Sequence, residues 1–159
     1  MKKLSVVMIG LLIMSNLSAQ QVLGVDVNQT IRNFIEEIRP KVSNLHPIGN
    51  QTYLGQCNFS GYTNSNISIQ YYGTEGMNLV KQVEISFSAD DVESTKERFA
   101  KAYSNKYGIN YTIQPNGNNG NSYILSYGNS TITIKGLDSK ISIIYNMKAT
   151  KPSTNYNDI

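Results

Sequence analysis

The chain has 159 residues and a formal net charge of +3; charged residues make up 16% of it, below the roughly 25% of an average soluble domain, and hydrophobic residues 40%. One ordinary domain fits this length, whereas a coiled coil, a charge-rich disordered chain and a multidomain enzyme do not. With one Cys (Cys57), one His (His46) and no Trp, a zinc site built from several Cys or His ligands is all but excluded.

At the start, Lys2 and Lys3 precede an apolar run from Leu4 to Met14 broken only by Ser5 and Gly10, and Ser15 to Ala19 come next as mostly small or polar residues. This is the layout of a Sec-type signal peptide, residues 1–19, with cleavage expected after Ala19 and Gln20 as the new N-terminus. Leu17 is large for the third position before the cut. The apolar run is shorter than the ~20 residues of a membrane span, so an uncleaved anchor is the weaker alternative. No Cys lies near the cut to take a lipid, and no later stretch is long and apolar enough to span a membrane. Removing Lys2 and Lys3 leaves 12 basic against 11 acidic residues, a net charge of +1. That balance gives no footprint for nucleic acid or an anionic membrane surface. The expectation is a bacterial exported protein, periplasmic or extracellular.

In the mature chain, Val27, Ile31, Phe34, Ile35, Ile38, Val42 and Leu45 fall at helical spacing. They predict a helix over 27–39, capped by Asp26 or Asn28 and ended or kinked by Pro40, with a further turn open as far as Asn44. His46 to Asn50 reads as a loop. The period then changes to two: Tyr53, Gly55, Cys57 and Phe59, then Ile67, Ile69 and Tyr71, then Val83, Ile85 and Phe87 each alternate with polar neighbours, predicting strands covered on one side. A second helix is predicted over 89–107, with Ser88 and Asp91 as a capping box, Val92, Phe99, Ala102 and Tyr103 as its apolar stripe, and Gly108 as C-cap. Strand signals return at 109–114, 122–127, 131–135 and 140–145, separated by the turn-rich segments 116–121, 128–129 and 136–138. Residues 148–159 lack periodicity and are expected to form a flexible tail.

The predicted fold class is therefore α+β: one domain over 20–147, two helices packed on one face of a mainly antiparallel sheet of about seven strands, in the order α-βββ-α-ββββ. The repetition of helix and meander raises a tandem duplication, although no residue-level match joins the halves. Tandem helix-plus-meander units resemble the architecture of secreted beta-lactamase-inhibitor proteins. That resemblance lies in element order alone and carries no motif or function.

Motifs for chemistry are sparse. His46 has no Gly-x-Ser-x-Gly elbow beside it, and its ordinary reading is a loop histidine rather than a catalytic base. Cys57, alone in an exported chain, reads as a buried apolar side chain, with an intermolecular bridge or a nucleophile as alternatives. Glu36 and Glu37 pair with Arg32 and Lys41 at helical spacing, and Asp90 and Asp91 suit a helix N-terminus, so neither pair demands acid/base catalysis. The Asn/Gly run 116–121 lacks the following helix of a phosphate loop and the carboxylates of a calcium loop. No catalytic residue, metal ligand or cofactor is assigned.

What remains is a polar surface rich in Asn and in Tyr, of which there are 11. Tyr62 and Tyr72 are the candidate ligand-contacting residues, expected on the open sheet face or its loops beside Ser68, Gln70, Glu84 and Ser86. Triplets such as Asn58-Phe59-Ser60 are expected by chance at this composition. The expected function is a non-enzymatic binding or interaction module for a protein or a glycan. An inhibitor or assembly subunit acting on a protein partner is the alternative, and a small hydrolase stands behind both.

Overall fold

The computed structural model describes residues 20–73 and 78–148, so the predicted signal peptide and the tail beyond Lys148 lie outside the described residues. The chain opens with a hairpin that periodicity does not announce, β1 (Gln21–Val22) and β2 (Val25–Asp26). Its two turn residues, Leu23 and Gly24, both take positive φ (52° and 75°), as a two-residue turn of this hand requires. The hairpin is tied in by Val22, Val25 and Val27, each buried.

Helix α1 (Ile31–Ile38) buries Ile31, Phe34, Ile35 and Ile38, one face of two turns. It starts later than the spacing predicts, because Thr30 is held extended by a bridge to Leu79 and caps the helix by accepting from the Asn33 amide at 3.4 Å. Asp26 instead accepts from the Asn28 amide at 2.7 Å in a local turn. Pro40 lies in a single 3-10 turn over residues 39–41 that ends the helix. The next segment is neither a helical turn to Asn44 nor a loop at His46 but a strand, β3 (Val42–Gly49). Only Val42 in it is buried, and its pairing is interrupted at Ser43/His46 and Pro47/Gly49, so no alternation survives to be read.

Strands β4 (Thr52–Phe59), β5 (Tyr62–Tyr71) and β6 (Val80–Ser88) complete the first meander. Helix α2 (Val92–Tyr107) is capped by Asp91, which accepts from the Ser94 amide at 3.0 Å, and not by Ser88, which ends β6. Gly108 closes it at φ 64°, as predicted. Its buried stripe is Lys96, Phe99, Ala100, Tyr103 and Tyr107; Ala102 points to solvent. The second meander is β7 (Tyr111–Pro115), β8 (Asn121–Tyr127), β9 (Ser130–Leu137) and β10 (Lys140–Met147).

The eight strands from β3 onward form one antiparallel sheet in the order β3-β4-β5-β6-β10-β9-β8-β7, and β1 and β2 form a separate two-stranded one. The α+β class and the antiparallel sheet stand. The expected seven strands become eight plus a hairpin, and the order becomes ββ-α-ββββ-α-ββββ. The two meanders run inward from opposite edges and meet where β6 pairs with β10.

Register fixes which face is apolar. Ile67, Ile85, Ile143, Ile134 and Tyr123 stand directly across from one another on five successive strands, and Ile69, Val83, Tyr145, Ile132 and Leu125 form the neighbouring row. These side chains, with those of both helices and the β1–β2 hairpin, make a single buried cluster. Two glycines are explained by close approach: a Cβ on Gly55 would collide with the Val42 side chain, and one on Gly136 with that of Val92 in α2.

Ile143 sits fully buried in the central strand, so truncation opens a cavity that the two flanking strands cannot fill. Ile143→Ala should lose about 2–5 kcal/mol by urea denaturation, as core Ile→Ala changes do. Leu54→Ala, on the outward face of β4, should change stability by less than about 0.5 kcal/mol.

Candidate functional site

Of the 11 tyrosines, Tyr156 lies outside the described residues and nine of the other ten belong to or pack against the buried cluster. Tyr62 is among those nine. It pairs across the β4–β5 turn with inward-facing Phe59, stacks on Phe87 with ring centroids 4.1 Å apart, and accepts a hydrogen bond from Arg98 of α2 at 2.8 Å. It faces the helix side, which corrects its expected place on the open face. The reason is the interruption of pairing between Cys57 and Phe59, which simple alternation does not anticipate. Tyr72 is the exception. It is half-buried beyond the end of β5 and donates to the Met147 carbonyl of β10 at 3.2 Å, with the Lys81 ammonium 5.8 Å from its ring centre. The structure therefore separates the two tyrosines that the sequence places together.

The tyrosines inside use their hydroxyls on one another and on the chain. Those of Tyr103 and Tyr145 share a hydrogen bond, and that of Tyr107 accepts from the Gln21 amide at 3.4 Å. Burial pushes the Tyr103 hydroxyl up to about 12, against a smaller lowering by its bond to Tyr145. Burial likewise raises Tyr145 well above its ordinary value, reinforced by Tyr103. Tyr123 is raised by burial and by Glu93 and Glu97 nearby.

Lys96 is the one buried charge in α2, with no exposed surface. Its ammonium donates to Glu93 Oε1 and to the Asn121 carbonyl, both at 2.6 Å, pinning the first turns of α2 to the start of β8. Glu93 is half exposed, so the pair is only partly removed from water. Nothing in the sequence marks Lys96, because a lysine on the core stripe scores as polar.

The other candidates fall apart or take structural roles. His46 is exposed on edge strand β3, its Nδ1 2.6 Å from the Asn44 carbonyl. Glu36 pairs with Arg32 at 3.3 Å on the helix surface, but Lys41 donates instead to the Leu23 carbonyl at 2.7 Å, because α1 ends before a Glu37–Lys41 pair could form. Asp90 is exposed and Asp91 is the α2 cap. Among the described residues no group of three His, Cys, Asp or Glu side chains is placed to hold a metal ion. Cys57 is buried on the inward face, and burial pushes its thiol up to about 11.

What the register leaves open is the opposite face of the sheet. One outward row crosses all eight strands: His46, Leu54, Ser68, Glu84, Ile144, Thr133, Ile124 and Thr112. The row on one side of it includes Gln56, Asn66, Ser86, Ser142 and Lys135, and the row on the other Thr52, Gln70, Gln82, Asn146 and Thr131. Most of these side chains are uncharged hydrogen-bonding groups. A groove of about 550 Å³ opens where Glu84, Ser142 and Lys135 meet the β9–β10 turn and Asn116 and Asn119 of the β7–β8 loop. Ser68, Gln70, Glu84 and Ser86, expected on this face from the sequence, all lie on it.

Comparison with family models, with curated proteins and with solved structures returns no match.

Two outcomes test the buried groups. Unfolded tyrosine ionises near 10, whereas Tyr103 in the fold holds its proton to about 12. The unfolded state therefore binds fewer protons between those values, and stability falls as pH rises through that window. Urea titrations from pH 9 upward should show this loss, and it should shrink in Tyr103→Phe/Tyr145→Phe. The double variant should also cost less than the sum of the single ones, since each single change strands a buried hydroxyl. Alkylation of Cys57 at pH 8 should be slow in the native protein and fast in urea; equal rates would show the thiol to be exposed.

Proposed function

We propose that the chain is an exported, non-catalytic module that docks a protein partner on the open face of its eight-stranded sheet. The observation that carries the reading is the continuous outward row from His46 to Thr112, which neither helix covers. Eight strands at ~4.8 Å spacing and three outward rows give a face on the order of 700 Å², close to one partner's share of a standard protein interface. A glycan reading is weaker, because the rings that would stack on sugars are turned inward and, among the described residues, Tyr72 alone lies outside the core.

The face is a better seat than the sheet edges. Edge strand β3 carries two breaks in register and Pro47, and edge strand β7 is five residues long and ends in Pro115; both features blunt strand addition. Export rests on the leader-like residues 1–19, and a near-neutral mature chain suits a partner recognised by shape and hydrogen bonds. A hydrolase reading has little to draw on, since the His46 imidazole faces its own strand's Asn44 carbonyl at the sheet edge. The halves, each a helix followed by a four-strand meander, support a duplicated origin for the sheet.

The test is capture from native envelope and culture-fluid extracts with the mature chain as bait. Ser68→Arg/Thr133→Arg places two bulky charges in the middle of the face, and Asn105→Arg places one on the exposed side of α2. A protein held by the wild type and Asn105→Arg but bound at least about tenfold more weakly by the face variant is the expected result. A partner that the face variant retains, or no partner at all, sinks the proposal. Tyr62→Ala should weaken the fold by removing the stack on Phe87.

A further inference from the structure

Gln20 is an anomaly in the packing. It is only 3% exposed, and among the described residues its carboxamide finds a partner for neither Nε2 nor Oε1. Buried amides are almost always hydrogen-bonded, so an unpaired one calls for a chemical explanation. The backbone of the residue is firmly placed: its carbonyl accepts from the Val27 amide at 3.0 Å, closing the base of the β1–β2 hairpin. The residue lines a cavity of about 260 Å³ together with Val27, Asn28, Tyr127, Met147 and Lys148.

Gln20 is also the residue that cleavage after Ala19 would leave first, so a role for it as a terminus rests on the export reading. Cleavage there adds an α-ammonium to the same buried residue. No carboxylate lines the cavity, and its one charged neighbour, Lys148, has the same sign. The mature terminus would then hold two unmet demands at one place, a charge beside a like charge and an amide without partners.

We propose that Gln20 is a modification site, and that the mature N-terminus is pyroglutamate. The unprotonated α-amine attacks Cδ of its own carboxamide; the N–Cδ bond forms, the Cδ–Nε2 bond breaks, and the amine's proton leaves with Nε2 as ammonia. The step needs no oxidant, metal or co-reactant. Its product is a neutral five-membered lactam with one N–H and one carbonyl, which removes both the charge and the terminal amide nitrogen. The Gln20 main-chain carbonyl is untouched, so its bond to Val27 persists. Because the residue is buried once the hairpin docks, ring closure precedes folding, unaided or by a glutaminyl cyclase in the compartment that receives the chain. Folding then shields the lactam from aminopeptidases.

The test is mass spectrometry of the protein isolated from its native host. The expected N-terminal peptide begins at Gln20, is lighter than the free glutamine form by one ammonia, and is trimmed only after pyroglutamyl aminopeptidase is added to the unfolded chain. Gln20 with a free amine, or a cut at a neighbouring residue, overturns this proposal and leaves export standing, whereas a chain that keeps residues 1–19 overturns both. Loss of ammonia during measurement is separated by a second readout. A chain made to begin at Gln20 with a free amine is unfolded, treated with glutaminyl cyclase and refolded. Its Tm should rise by several degrees over the mock-treated chain, and Gln20→Ala should not respond. An unchanged Tm would show that the ring does not relieve the buried terminus.

Discussion

The ladder between β6 and β10, running from Ser88↔Lys140 to Gln82↔Asn146, is the contact on which the rest depends. Each meander is local in sequence and could form its hairpins alone, but each would then present two edges and a bare apolar face. Pairing their last strands removes one edge from each and aligns the isoleucine rows into one surface wide enough for both helices. Chain separation across this seam spans α2 and three strands, so closing it is the non-local step of the fold. The central strands are correspondingly the most apolar: β10 alone contributes Ile141, Ile143 and Tyr145 to the inward face.

The two halves are covered unequally. Helix α2 runs for 16 residues against the second meander, while α1 has 8. The shortfall is made up by the β1–β2 hairpin, whose Val22 and Val25 join the cluster and whose Gln21 amide donates to the Tyr107 hydroxyl at the far end of α2. The first residues of the predicted mature chain are thus part of the core structure rather than a loose lead-in. That is why the proposed chemistry of a terminus at Gln20 would bear on stability.

Periodicity made part of this fold legible in the sequence and hid the places where something overrides it. Strands β4 to β6 and β8 to β10 were legible because mostly polar outward residues alternate with inward Ile, Val, Tyr, Phe or, in β4, Gly55 and Cys57. Strand β3 was not, because an exposed edge strand with two register breaks has no alternation to show. The stripe of α2 was legible at Val92, Phe99 and Tyr103 but wrongly took in the exposed Ala102 and missed Ala100, Tyr107 and Lys96, the last buried through its bonds to Glu93 and Asn121. At Tyr62 the alternation runs straight through a bulge, and one extra residue moves a side chain to the other face. Of the open face, the polar positions at Ser68, Gln70, Glu84 and Ser86 were legible. The three rows to which they belong needed the pairing register, which no single strand contains.

The division of residue types between the two faces narrows how the proposed docking face could act. Tyrosine, the side chain most suited to an interface hot spot, is spent on the interior, where Tyr103 and Tyr145 satisfy each other. Outward, the central row carries Leu54, Ile144 and Ile124 spaced along it among His46, Ser68, Glu84, Thr133 and Thr112, with Ile144 itself buried. The apolar side chains are interspersed with uncharged hydrogen-bonding groups instead of being gathered at the centre, so contact through this face would be mainly polar. With one carboxylate in the row and a net charge of only +3 on the whole chain, long-range attraction would contribute little to the proposed encounter. Association through the proposed face would gain little from electrostatic steering and would be governed by how well the partner's surface fits the twisted sheet.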